Sequence, residues 1–167
     1  MRPMTTENVK AAFAGESQAH MKYLAFAQRA EDDGLPNVAR LFRAVAAAEV
    51  KHAHYHLRML EGIGPTADNL QGAHEGEDFE IEHMYPAFSA VAQLEGEKQA
   101  DKGYYYAVEA EKNHRPLYAE AQATVAAGGD LDETPLFVCG FCGHTGRGEP
   151  PEKCPVCGAP RSRFEVF

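Results

Sequence analysis

Carboxylates and imidazoles recur along the first 114 residues in a pattern that could hold metal ions. Glu49 and His52 are three residues apart, and so are Glu111 and His114. Because residues i and i+3 lie on one face of a helix, the two side chains of each pair can coordinate one metal ion together. Further glutamates stand at Glu16, Glu77 and Glu80. Helical bundles hold pairs of iron or manganese ions with this combination of bare glutamates and Glu-x-x-His motifs.

The setting of these glutamates favours a metal centre over solvated side chains. Glu16, Glu49 and Glu111 are flanked by apolar residues on their predicted helix faces. A single glutamate of this kind is more often solvated, but several converging buried carboxylates require cations, since each costs several kcal/mol unpaired. Oxygen ligands with two imidazoles suit iron or manganese. We expect five other histidines not to be ligands: His20, His54, His56, His74 and His83.

The last 29 residues hold a second candidate metal site. It consists of two C-x-x-C pairs, formed by Cys139, Cys142, Cys154 and Cys157. Gly143 and Gly158 follow the pairs, where tight metal-binding turns need positive φ. Four thiolates hold either zinc or a single iron, and the spacing does not separate the two. A region this small needs the metal in order to fold.

Four helical segments must position the carboxylates. Apolar residues at steps of three and four, with Gly and Pro between them, predict helices at about residues 6–33, 36–61, 66–94 and 97–127. Thr66 is suited to cap the third helix. Pro86 predicts a kink there, and Pro116 predicts a bend in the fourth helix close to His114.

Composition divides the chain at about residue 130. Residues 131–167 contain 5 Pro and 5 Gly and no helical stripe, which predicts domains at 1–129 and 130–167. The net charge of −9 argues against nucleic-acid and anionic-membrane partners. The first residues lack the apolar segment of a secretory signal peptide, and no apolar run is long enough to cross a bilayer. We therefore expect a soluble, cytoplasmic protein whose cysteines bind metal.

The motifs in this order resemble rubrerythrins over nearly all 167 residues. They are AFAGESQA, the E-x-x-H of the second helix, GEDFEIEHMYP, the E-x-x-H of the fourth helix and the terminal C-x-x-C pairs. The resemblance implies an all-α, four-helix ferritin-like bundle with a small rubredoxin-like domain at its C-terminus. It also implies two iron ions in the bundle and favours iron over zinc at the cysteines, because zinc could not relay electrons.

The resemblance implies roles for individual residues. The histidine that replaces a glutamate when one iron is reduced matches His52, and that glutamate matches Glu80. Tyr23 and Tyr85 match tyrosines next to the site. The remaining family ligands match Glu16, Glu49, Glu77, Glu111 and His114.

The activity implied by the resemblance is reduction of hydrogen peroxide to water by a non-haem di-iron peroxidase. Electrons would come from NAD(P)H through a separate reductase or rubredoxin, since the chain has no nucleotide-binding fingerprint. The alternative is a ferritin-type ferroxidase or iron-handling protein, although a store needs no electron relay. A third reading is a structural module with zinc at the cysteines and inert ions in the bundle.

The spacing of the ligands conflicts with a bundle built from one chain. In a ferritin-like bundle the second and third helices run parallel, yet Glu49 and Glu77 are only 28 residues apart. The predicted helices would require the chain to return by roughly 35 Å, and the four residues between them reach about 14 Å. We therefore predict a domain-swapped homodimer in which each di-iron site combines ligands from two chains.

Overall fold

Two long helices form the N-terminal unit, Met1–Gly64, of the computed structural model, which describes residues 1–167. Helix α1 spans Pro3–Asp32 and helix α2 spans Pro36–Met59. Gly34 lies in the turn between them with φ of +75°, a backbone conformation that favours glycine. The helices predicted at 6–33 and 36–61 are thus confirmed to within three residues at each end.

Small side chains form the interface between α1 and α2. Ala27, Ala30 and Ala39 make one buried cluster, against which Phe42 packs. Several larger apolar side chains of this unit are exposed, among them Leu24, Phe26, Val38, Leu41 and Val45. The hairpin therefore buries an alanine seam and leaves apolar surface uncovered.

The second unit, Pro65–Phe167, begins with a helical run in three parts. Helix α3 spans Thr66–Phe79, a π-helical segment spans Glu80–Met84, and helix α4 spans Tyr85–Glu95. Both helices pack against helix α5, Lys98–Ala126. The predicted third and fourth helices are confirmed, but the π-helical segment was not predicted.

Two local predictions need correction or qualification. Thr66 does not cap α3, because the extended Pro65 takes the N-cap position and Thr66 becomes the first helical residue. Pro116 lies inside α5, which remains helical on both sides of it. The proline lacks one backbone N–H, but Glu111 and His114 stay one turn apart on the same face, with His114 Nδ1 at 2.6 Å from Glu111 Oε2.

A small antiparallel sheet follows α5, and we call residues 136–167 the sheet region. Its strands are β1, β2 and β3, at Leu136–Cys139, Thr145–Arg147 and Phe164–Val166. The strand order is β2-β1-β3. Gly146 pairs with Phe137 in the register, and a Cβ on Gly146 would lie 2.5 Å from the Phe137 ring. The predicted boundary at residues 129 and 130 falls between α5 and β1, inside the second unit, and stays a prediction.

None of the helices combines the length and the apolar character that a membrane span requires.

Candidate metal centres

Glu16, Glu49 and His52 form the first carboxylate–imidazole cluster, which we call the α1–α2 site. Their ligand atoms lie within 4.8 Å of one another. His52 Nδ1 is 3.3 Å from Glu49 Oε2 and 3.8 Å from Glu16 Oε1. The site forms because the i, i+3 spacing on α2 places one carboxylate and one imidazole opposite a single residue of α1.

A hydrogen bond joins the two carboxyl groups of the α1–α2 site. The hydrogen bond to Glu49 raises the pKa of Glu16, with a smaller contribution from burial, and the same bond lowers the pKa of Glu49. Two carboxylates this close repel each other unless a proton or a cation lies between them. The donor set therefore fits a bound metal ion.

Glu77, Glu111 and His114 form the second cluster, the α3–α5 site. Their ligand atoms also lie within 4.8 Å of one another. His114 Nδ1 is 2.6 Å from Glu111 Oε2 and 3.7 Å from Glu77 Oε1. Glu80 joins this site by a side-chain contact with Glu111. The structure therefore brings together all four ligands that the sequence predicts on α3, the π-helical segment and α5.

Burial dominates the electrostatics of the α3–α5 site. It raises the pKa of Glu77 to about 8, together with the hydrogen bond and the negative charge of Glu111. Burial also raises the pKa of Glu80, and the Glu111 charge adds to it. At neutral pH these carboxyl groups therefore need protons or cations to remain close together. Oxygen donors with one imidazole suit iron or manganese here as well.

The two tyrosines predicted beside the metals have different surroundings. Burial raises the pKa of Tyr85, and the charges of Glu80 and Glu111 contribute to the rise, so its hydroxyl belongs to the α3–α5 environment. Tyr23 packs among aromatic rings, and its ring centroid lies 6.2 Å from those of Phe26 and Phe42. Tyr23 thus has a packing role, and the catalytic roles of both tyrosines stay predictions.

The five histidines predicted not to be ligands lie outside both clusters. His20 Nδ1 lies 2.8 Å from the Ala46 carbonyl oxygen, His74 pairs with Asp78 at 3.4 Å, and the rings of His83 and Phe79 are 5.9 Å apart.

The eighth histidine, His144, received no role from the sequence. Its Nδ1 lies 3.2 Å from Asn113 Nδ2. The next residue, Thr145, contacts His114, with 2.9 Å between Thr145 Oγ1 and His114 Nε2. The only available sequence signal was a polar pair directly after a C-x-x-C turn, and it does not indicate a partner 31 residues away.

Four thiols converge in the sheet region and form a site that we call the four-cysteine site. The Cys139 and Cys157 sulfurs are 3.7 Å apart, and the Cys142 and Cys154 sulfurs are 3.5 Å apart. These distances are too long for disulfides. A tetrahedron with metal–sulfur bonds of about 2.3 Å has edges of about 3.8 Å, so the four cysteines fit a tetrahedral metal ion.

Backbone N–H groups tune the thiols of the four-cysteine site. Burial alone would raise the pKa of Cys154, but N–H groups of Cys157 and Val156 help to lower it to about 7. Burial raises the pKa of Cys142, although the His144 N–H opposes the rise. The predicted positive φ angles are confirmed at Gly143 and Gly158, at +80° and +77°.

The four-cysteine site lies against α5. Tyr106 of α5 packs on the buried cysteines, and its ring centroid is 5.7 Å from that of Phe141. Arg147 of β2 pairs with Glu120 of α5. One helix therefore carries two ligands of the α3–α5 site and also supports the four-cysteine site.

Comparisons with known proteins agree with this arrangement. The family model described as Rubrerythrin matches residues 7–122, and the model described as Rubrerythrin, rubredoxin-like domain matches residues 137–165. Rubrerythrin-2 of Clostridium acetobutylicum is 37% identical over 98% of this chain and 97% of its own length. Nigerythrin of Nitratidesulfovibrio vulgaris is 36% identical over 98% of this chain and 86% of its own length.

Solved structures support the same relationship. Structures of nigerythrin in the mixed-valent state and in the fully reduced, all-ferrous state each align with 98% of this chain and 86% of the nigerythrin chain. The TM-score is 0.56 and the sequence identity 36% in both. The predicted fold class, a four-helix ferritin-like bundle with a small cysteine-rich sheet region, is thereby confirmed. The domain swap stays a prediction. The chain belongs to the rubrerythrin family, which binds two iron ions in its helical domain and one at its rubredoxin-like site.

Proposed function

We propose that this protein is a peroxidase that reduces hydrogen peroxide to water. The observation that carries the proposal is the placement of α5, which supplies Glu111 and His114 to a carboxylate–imidazole site and also supports the four-cysteine site. An iron store needs the first of these sites but not an adjacent thiolate centre that can change charge by one electron. A peroxidase uses both.

The proposed reaction consumes two electrons and two protons for each peroxide, and it yields two waters. Bound iron ions would supply the electrons and polarise the oxygen–oxygen bond. Burial raises the pKa of Glu77 to about 8 and also raises the pKa of Glu80, which favours the protonated form of both carboxyl groups in the metal-free chain. Because carboxyl ligands give up their protons when a metal ion binds, the Tyr85 hydroxyl is a nearby group that can deliver protons to the iron-loaded site.

The proposed exchange between Glu80 and His52 is supported by the exposure of His52 and by the position of Glu80 in the helical run. The His52 side chain is 58% exposed in the chain. Glu80 is the first residue of the π-helical segment, a helix type that often marks functional sites. An exposed imidazole and a carboxylate at a helix irregularity can alternate as ligands with little rearrangement of the backbone.

A separate reductase or rubredoxin would supply the electrons, starting from NAD(P)H. A nicotinamide releases two electrons together as hydride, whereas an iron held by four cysteines accepts one at a time. A partner protein that divides the pair is therefore needed between them.

We further propose that the working form is a domain-swapped homodimer. Glu49 lies ten residues before the end of α2, and Glu77 lies eleven residues after the start of α3. These stretches rise by about 32 Å in total, whereas the seven steps from Met59 to Thr66 span at most about 25 Å. Parallel helices with both glutamates at one level therefore cannot come from a single chain, even with the observed shorter α2.

Uncovered apolar side chains in both units support a second copy as the partner. Leu41 of α2 is 61% exposed, and Val91 and Leu94 of α4 are 53% and 88% exposed. Apolar surface of this kind usually marks an interface. Each chain carries one α1–α2 site and one α3–α5 site, so two copies could complete two di-iron centres by exchange.

Peroxide consumption by the reduced, iron-loaded protein tests the peroxidase activity. We expect rapid consumption by the parent and rates lower by at least about tenfold in Glu80→Ala and His52→Ala. Equal rates in all three would exclude the ligand exchange. A reduced parent that leaves peroxide unchanged but oxidises and retains added ferrous ions would instead support the ferritin-type alternative.

Mixing two inactive variants tests the domain swap. Glu49→Ala and Glu111→Ala chains, refolded together in equal amounts, should recover about a quarter of the parent activity, because half the dimers are mixed and each contains one intact site. Unswapped chains would recover none. The matched control mixes the parent with a chain that carries both Glu49→Ala and Glu111→Ala. In a swapped mixed dimer neither site is intact, whereas in an unswapped mixed dimer the site of the parent chain stays intact.

A further inference from the structure

We propose that Thr145 is a positioning residue that fixes His114 for metal binding and links the four-cysteine site to the α3–α5 site. This role rests on the proposed function, in which both metal centres take part. Thr145 begins β2, the strand after the first C-x-x-C turn of the four-cysteine site, and contacts His114 of the α3–α5 site. The observation behind it is a chain of two hydrogen bonds between α5 and the C-x-x-C turn. His114 Nε2 lies 2.9 Å from Thr145 Oγ1, and Thr145 Oγ1 lies 2.8 Å from the Gly143 carbonyl oxygen.

The direction of both hydrogen bonds follows from the groups involved. A carbonyl oxygen can only accept, so the Thr145 hydroxyl donates its single proton to Gly143. The hydroxyl then has no proton left for His114 and can only accept from it. His114 Nε2 must therefore carry a hydrogen, and the neutral ring presents its lone pair at Nδ1.

The ring nitrogen selected in this way is the one that faces the carboxylates. His114 Nδ1 is the atom 2.6 Å from Glu111 and 3.7 Å from Glu77. A metal-binding imidazole is generally oriented by a partner on its other nitrogen, and loss of such a partner weakens metal binding by about 10- to 100-fold. Thr145 supplies that partner from a strand outside the helical run.

The other end of the chain of hydrogen bonds is next to a cysteine. Gly143 follows Cys142 directly, and the backbone N–H of His144 donates to the Cys142 sulfur. Gly143 has φ of +80°, which a residue with a side chain adopts only with strain. The three residues after Cys142 therefore connect the two sites. The N–H of His144 contacts the Cys142 sulfur, and Thr145 contacts His114.

Contacts other than the Thr145 hydroxyl hold the sheet region on α5. Arg147 pairs with Glu120, and Tyr106 packs against Phe141 and the cysteines. Removal of the hydroxyl should therefore change the orientation of the His114 ring without releasing the sheet region.

The test compares Thr145→Val, which keeps the side-chain shape without the hydroxyl, with Thr145→Ser, which keeps the hydroxyl. Thr124→Val is the matched control, because Thr124 also bears a hydroxyl bonded to a carbonyl, that of Glu120, on α5. The probe is zinc, which is diamagnetic and does not depend on peroxide chemistry. We measure zinc affinity by competition with a chelator and the Nε2 proton of His114 by imidazole NMR of the zinc-loaded full-length protein.

We expect Thr145→Val to bind zinc at the α3–α5 site about 10- to 100-fold more weakly and to lose protection of the His114 Nε2 proton from exchange. Thr145→Ser and Thr124→Val should change affinity by less than about twofold. Parent-like affinity and protection in Thr145→Val would overturn the role, and so would equal weakening in Thr145→Ser. The visible spectrum of the iron-loaded four-cysteine site verifies folding, and Thr145→Ala replaces Thr145→Val if the latter loses that spectrum. Because zinc binding requires no turnover, the outcome is independent of whether the protein reduces peroxide.

Discussion

The α1–α2 and α3–α5 sites contain the same ligand types but differ in how firmly the chain holds them. Each has at least two carboxyl groups, two of them joined by a hydrogen bond, and one histidine at i+3 from a glutamate. The His52 side chain is 58% exposed, whereas that of His114 is 28% exposed. His114 is also bonded through its second ring nitrogen to Thr145. The exposed imidazole of His52 therefore contacts the carboxylates through Nδ1 only, whereas His114 is held at both ring nitrogens.

This difference suggests a division of labour between the two sites. A metal ligand that enters and leaves during turnover needs solvent access and few competing contacts, as His52 has. A ligand that keeps the ion in place needs a partner on its outer nitrogen, as His114 has. In the proposed domain-swapped dimer, the α1–α2 site of one chain would combine with the α3–α5 site of its partner, and the contact between Thr145 and His114, which lies within one chain, would remain. The asymmetry would therefore persist in the assembled protein.

The largest expected effect is on metal affinity when each histidine is removed. His114→Ala should weaken iron binding by at least about 100-fold, because it removes a fixed ligand and even outer partners change affinity by about 10- to 100-fold. His52→Ala should weaken it by only about tenfold, since water can replace an exposed ring. Anaerobic ferrous titration of the metal-free protein measures both. Equal losses would show that the two imidazoles are held equally firmly and would remove the division of labour.

A second prediction concerns the stability of the metal-free protein as a function of pH. The pKa of Glu77 is about 8 in the fold and ordinarily 4.5. Between these values the folded state keeps a proton that the unfolded state releases, so the free energy of unfolding must fall as pH rises from 4.5 to 8. One pKa unit corresponds to about 1.4 kcal/mol, and solvent screening reduces the effect, so we expect a loss on the order of 2 kcal/mol.

Glu77→Gln isolates this contribution, because the amide resembles the protonated carboxyl and cannot ionise. Chemical denaturation of the chelator-treated variant at several pH values should show a shallower decline than the parent. Glu16→Gln is the matched control, since Glu16 is in the more open site and its pKa rises chiefly through its bond to Glu49. A decline that is equally steep in the parent and in Glu77→Gln would contradict the assignment.

The parts of the fold that were predictable are those specified by residues close together in sequence. Helices α1 and α2 follow from the apolar steps and the glycine and proline residues that end them. The pairing of Glu49 with His52 and of Glu111 with His114 follows from helical geometry alone. The turns at Gly143 and Gly158 follow from the C-x-x-C spacing.

The features that escaped prediction depend on distant contacts or on an altered hydrogen-bond pattern. The π-helical segment Glu80–Met84 contains a wider turn than an α-helix. It barely changes the spacing of the apolar residues, so the apolar pattern does not predict it. Thr145 and His114 are 31 residues apart, in a strand and a helix, so only the docking of the sheet region brings them together. The cap of α3 was misassigned because Pro65, with its extended backbone, starts the helix one residue earlier than a Thr66 cap would.

The smallest expected effect tests whether surface charge, instead of the Thr145 contact, holds the α3–α5 site. Arg115 follows His114 and pairs with Asp78 at 3.1 Å and with Glu82 at 3.4 Å, which ties α5 to residues beside Glu77 and Glu80. These ion pairs are exposed, and exposed pairs contribute little because water screens them. Arg115→Gln should therefore shift the melting temperature by at most about 2 °C and change zinc affinity less than about twofold. If it weakened zinc binding as much as Thr145→Val, the firmness of this site would come from its surface charges, and His114 would owe its fixed position to the helix pair instead of the sheet region.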